Sequence, residues 1–89
     1  MEWFEIVWEL RQDKYIRNIE NNSKLADSYY SLKGLVHMSD LGVELTDEFI
    51  LEVINLAIED RNKYVNEAKK FEYVKIEDGE FVWESSCYM

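Results

Sequence analysis

Proline is missing altogether, and the 89 residues hold only three glycines, one cysteine and one histidine. Each shortage excludes something. Cys87 alone permits no internal disulfide and leaves a cysteine zinc site without ligands, which fits a reducing compartment. Glycines only at 34, 42 and 79 leave no Gly-rich phosphate loop and no nucleophile elbow. His37 has no second histidine or cysteine at ligand spacing and stands beside an apolar stripe, so it reads as a surface or boundary residue. Cys87 has no basic neighbour to activate its thiol. No run approaches the ~18 uncharged apolar residues of a membrane span. Glu2, Glu5 and Glu9 interrupt the apolar N-terminal residues, so no secretory signal is expected and a cytoplasmic protein is.

Positive charge is scarce too. Ten Lys and Arg face nineteen Asp and Glu, for a net charge of −9. Binding a phosphate backbone draws on Lys and Arg that displace counterions, so duplex binding is disfavoured, as is attraction to anionic lipid. A basic protein surface would instead be steered toward the chain.

What is present is enough for one domain. Apolar residues make up 47% and aromatics 15%, sufficient for one modest core without metal or disulfide staples. The expected domain spans residues 1–84, with 85–89 as a flexible tail. From Glu2 to about Glu20 no breaker occurs. Trp3, Ile6, Val7 and Leu10 keep helical spacing, with Phe4, Trp8, Tyr15 and Ile19 as an adjacent stripe. The spacing predicts a first helix; the alternative is a strand over residues 3–10 joining the C-terminal hairpin. Asn21, Asn22 and Ser23 form a break that can cap a second helix, striped by Leu25, Tyr29, Leu32 and Val36 and stopped at Gly42. Gly34 inside that helix hints at close packing against a neighbour.

Thr46 starts the third and clearest helix, with Asp47 and Glu48 at its positive end, Lys69 and Lys70 at its negative end, and Leu45 with Ile50 as a hydrophobic staple. From Phe49 to Ile58 only Glu52 and Asn55 are polar, so that half should be covered on most sides. Glu52, Asn55, Glu59, Asn62 and Asn66 recur in steps of three and four and read as one solvent stripe. Asp78-Gly79 suits a type I′ turn, placing Glu77 opposite Glu80, Ile76 opposite Phe81, Lys75 opposite Val82 and Val74 opposite Trp83. Val74, Ile76, Phe81 and Trp83 then share an inner face, and Tyr73, Lys75, Glu77, Glu80, Val82 and Glu84 an outer one. The fold expected is α+β, with three helices packed around a central third helix and a C-terminal two-stranded hairpin.

No catalytic constellation accompanies this fold. Paired carboxylates such as Glu5 with Glu9, or Glu48 with Glu52, lack a Glu-x-x-His partner or a calcium-binding loop and read as solvated acids. No enzyme activity, cofactor or metal is expected. The C-terminal charge is more informative, because Glu72, Glu77, Asp78, Glu80 and Glu84 face only Lys75 over residues 71–89. Opposing Glu77 to Glu80 weakens a hairpin, so an acidic tip suits a cationic partner or protects an edge from aggregation. Trp8 and Tyr73 are the preferred exposed anchors, and Glu52 and Glu59 extend the candidate partner-binding set. The two stripes of the first helix would also serve a homodimer.

In size and charge the chain resembles the small acidic inhibitors of phages and mobile elements, and the immunity proteins. That resemblance implies a nucleic-acid mimic that occupies a basic surface of a nuclease, defence enzyme or other nucleic-acid-binding protein. It covers no motif, and no residue role is carried across. The order helix, helix, helix, hairpin is also similar to a winged helix-turn-helix, with Arg61, Lys63, Lys69 and Lys70 as the available basic residues. A DNA-binding regulator is the alternative.

Overall fold

The computed structural model describes residues 1–20, 23–65 and 70–84. Its elements are α1 (Trp3–Arg11), α2 (Lys14–Arg17), a 3₁₀ turn (Ser23–Leu25), α3 (Ala26–Asp40), α4 (Asp47–Tyr64), β1 (Val74–Glu77) and β2 (Glu80–Trp83). This is an α+β fold of helices and one C-terminal antiparallel hairpin. No helix among the described residues is long and apolar enough to cross a membrane.

Residues 3–10 are helical and do not form the alternative strand. Ile6, Val7 and Leu10 are buried and Trp3 packs partly against them. The helix does not run on to Glu20, because Asp13 interrupts it. Its Oδ1 accepts the backbone N–H groups of Tyr15 and Ile16, each at 3.1 Å, capping α2. Its Oδ2 lies 3.1 Å from the Arg61 guanidinium on α4. At the head of α2 the carboxylate serves a helix start and a buried cation together.

A 3₁₀ turn leads into α3, with Leu25 at the cap position and no side-chain cap; Ser23 lies in that turn, and Asn21 and Asn22 fall outside the described residues. The buried face is broader than the predicted stripe. Leu25 and Leu32 are buried and Tyr29 and Val36 half-buried, but Ser28 and Leu35 are buried as well. Gly34 has open space where a Cβ would stand, so no neighbour approaches closely there. Gly42 ends the helix in the left-handed region, with φ +84°. Its N–H donates to the Ser39 carbonyl and that of Val43 to the Met38 carbonyl, each at 3.0 Å, which closes the helix end as a Schellman motif.

Thr46 Oγ1 accepts the Phe49 N–H at 3.1 Å, as a cap should. α4 packs against α1, α3, the 3₁₀ turn and β1, burying Ile50, Ile54, Ala57, Ile58 and Arg61. It is open along one side, since Phe49 and Leu56 are exposed. The helix ends at Tyr64, before the lysines expected there. Lys70 nevertheless reaches back, and its Nζ donates to the carbonyls of Asn62 at 2.6 Å and Val65 at 3.2 Å. Lys69 lies outside the described residues.

The predicted solvent stripe of α4 is divided. Glu52 and Glu59 are exposed, Asn66 lies outside the described residues, and Asn55 and Asn62 are half-buried under the chain leading into the hairpin. Asn55 Nδ2 donates to the Val74 carbonyl at 2.9 Å and its Oδ1 accepts the Val74 N–H at 2.8 Å. Asn62 grips Phe71 in the same way, at 2.9 and 3.1 Å. A carboxamide offers one donor and one acceptor side by side, as a neighbouring strand would. The spacing fits: seven helical residues rise about 10.5 Å, and three extended residues advance about 10 Å.

The hairpin has the predicted register, Val74↔Trp83 through Glu77↔Glu80. Asp78 and Gly79 both have positive φ, 54° and 79°, as a type I′ turn requires. Val74 and Phe81 are buried and join the single apolar cluster to which α1, α2, α3 and α4 all contribute. The molecule is a thin plate of 37 × 35 × 16 Å.

Candidate protein-binding face

The hairpin projects Tyr73, Glu77, Asp78, Glu80 and Glu84 into solvent, while Glu72 is half-buried. The turn is less negative than its composition indicates. Lys75 Nζ stands 3.5 Å from Glu77 Oε2, and the Met1 ammonium donates to Glu80 Oε1 at 3.0 Å. That hydrogen bond to Glu80 raises the ammonium pKa above its ordinary value of 8.0 against an opposing desolvation, with the nearby charges of Glu80, Glu5 and Glu2 adding to the rise. The opposed pair Glu77 and Glu80 is thus relieved by two cations of the chain itself. On α4, Glu52 and Glu59 are exposed on either side of Asn55, three and four residues away.

Trp8 and Glu72 come together elsewhere. A hollow of about 500 Å³ opens between α1 and the base of the hairpin, lined by Trp8, Glu9, Gln12, Lys70, Phe71, Glu72 and Trp83. Phe71 and Trp83 stack with ring centres 6.1 Å apart and planes 18° from parallel. Trp8 is 62% exposed. On its other flank a second hollow of about 530 Å³ is lined by Phe4, Glu5, Glu9, Arg11 and Val36 among others. Phe4 and Trp8 therefore border two hollows whose linings carry Glu5, Glu9 and Glu72 together with Arg11 and Lys70.

The sequence reading placed Trp8 and Glu72 in the binding set but missed Phe4, Glu9, Phe71 and Trp83. A signal existed for two of them. At 100° per residue Phe4 and Glu9 each lie roughly 110° from the centre of the arc made by Trp3, Ile6, Val7 and Leu10, and Trp8 about 150°, all too far to share its burial. Phe71 and Trp83 had no such signal, because they meet Trp8 only through the packing of α1 beside the hairpin.

Other constellations are less concentrated. Among the described residues no group of three or more His, Cys, Asp or Glu could hold a metal ion; His37 is exposed, and Cys87 falls outside the described residues. Among the described residues, Arg61, Lys63 and Lys70 do not form one face. The Arg61 side chain is only 4% exposed, paired with Asp13 and lying over the rings of Phe71 and Tyr15. Lys70 is bonded to the end of α4, and Lys63 is exposed beside Tyr64. No protein-family model, curated protein or solved structure matches the chain.

Proposed function

We propose that this chain is a small acidic cytoplasmic binding protein, without catalytic activity of its own, that occupies a basic surface of a nucleic-acid-binding protein such as a nuclease or defence enzyme. The observation that carries this reading is Trp8, a large aromatic held out at 62% exposure between two hollows on an acid-rimmed helix face. Magnitudes assign the roles. Covering the exposed part of one tryptophan is worth on the order of 3 kcal/mol, whereas each rim ion pair contributes about 0–1 kcal/mol. Trp8 would anchor the complex. The carboxylates of Glu9 and Glu72, with Asp78 and Glu84 further along the hairpin, would orient it and speed its formation.

Capture on the immobilised chain, followed by elution with duplex DNA, tests the proposal. The expected result is a retained basic protein that DNA releases, with retention falling at least tenfold on Trp8→Ala and falling as salt is raised. Retention that neither DNA nor Trp8→Ala disturbs overturns it. A duplex shift by the chain itself at low ionic strength would also overturn it, in favour of a DNA-binding regulator.

A further inference from the structure

Resting on that reading, we infer that the hollow between α1 and the hairpin base receives an arginine side chain of the partner, its guanidinium stacked on Trp8 and Trp83 beside Glu9. The chain already uses aromatic faces for cations. Arg11 lies over Tyr29, Lys14 over Tyr15, Lys24 and Lys63 over Tyr64, and Arg61 over Tyr15 and Phe71, all within 5.7 Å of the ring centres. Tryptophan is the best of these acceptors. Yet among the described residues no cation lies over Trp8 or Trp83, and both line one hollow.

The surroundings select charge and shape. Among the described residues Glu9 stands on the rim with Glu72 and Lys70, and the Lys70 ammonium is turned onto the carbonyls of Asn62 and Val65. Phe71 is stacked on Trp83 with nearly parallel planes, so the flat wall Trp83 can offer a ligand is its opposite face. A planar guanidinium can stack on such a wall and still donate two parallel N–H bonds to a carboxylate, whereas a compact ammonium cannot. The hollow is large enough for one such side chain and part of its backbone.

The test follows the indole N–H signals of Trp3, Trp8 and Trp83 in the intact chain, titrated at low salt with hexa-arginine, hexa-lysine and hexa-citrulline peptides. Hexa-arginine is expected to move the Trp8 and Trp83 signals and leave Trp3 in place. It should bind about tenfold more tightly than the citrulline peptide, which keeps the shape without the charge, and severalfold more tightly than hexa-lysine. Glu9→Gln should weaken hexa-arginine severalfold while preserving the dispersion of the spectrum. Equal affinity for the citrulline or the lysine peptide overturns the inference. Movement confined to the Asp78 and Gly79 amides overturns it too, while leaving the acidic binding protein standing. Absence of any response to hexa-arginine overturns both.

Discussion

The two ends of the hairpin are held in different ways. At the turn, carboxylates in water meet exposed cations, Lys75 beside Glu77 and the Met1 ammonium beside Glu80. At the open end, neutral carboxamides of Asn55 and Asn62 grip half-covered backbone, and Arg61 lies 4.9 Å from the centre of the Phe71 ring while held by Asp13. Water screens the first set and makes each contact weak. Partial burial strengthens the second, and makes the loss of any member costly. The turn is therefore shaped by its own backbone conformation, and the open end by the helices beneath it.

The sharpest way to break this contrast is from below. Asp13→Ala removes both the cap of α2 and the carboxylate beside Arg61, so about 3–5 kcal/mol of stability should go. A domain of this size holds roughly 5–10 kcal/mol in all, and the urea midpoint should drop by about half. A loss under about 1 kcal/mol would show the pair to be no stronger than the exposed pairs at the turn.

Asn55→Ala comes next. It strips Val74 of both backbone partners and should cost about 1–3 kcal/mol, with amide exchange at Val74 quickening before that at Ile54. Asn55→Asp keeps the acceptor for the Val74 N–H but faces its carbonyl with a charge, so it should recover less than half of the loss.

The smallest effect belongs to Glu80→Gln. The Met1 ammonium is raised above 8.0 in the folded chain, so its pairing contributes fully below that pH and fades as pH climbs through the raised value. The wild-type chain should therefore show a slight decline in stability on the alkaline side that the variant lacks. A proton titration of the α-amino group should find it higher in the wild type than in Glu80→Gln. Identical curves would show the contact to be too loose to matter.

How much of this was legible in the sequence follows the same division. The hairpin register rests on a local signal, Asp78-Gly79 between alternating residues, and could be read to the residue. The start of α4 was equally local, as was the end of α3 at Gly42. The interruption at Asp13 was only half so, because its cap on Tyr15 and Ile16 is local but its partner Arg61 lies 48 residues away and read only as one of four available basic residues. Asn55 and Asn62 look like solvent-facing polar residues until a strand lies across them. The site divides likewise: Trp8 and Glu72 were recognisable by type and position, but the hollow they share depends on Trp83, a residue assigned to the inner face of the hairpin.

The paired asparagines of α4 have a consequence for self-association. Helix and strand engage through matched pitches, so a slip of one residue leaves both carboxamides facing the wrong groups and no sliding intermediate is favourable. An intruding strand would have to evict Asn55 before it gained a ladder bond at Val74. The outer rim of β1 is thereby guarded at its first residue, Val74, without a proline or a bulge.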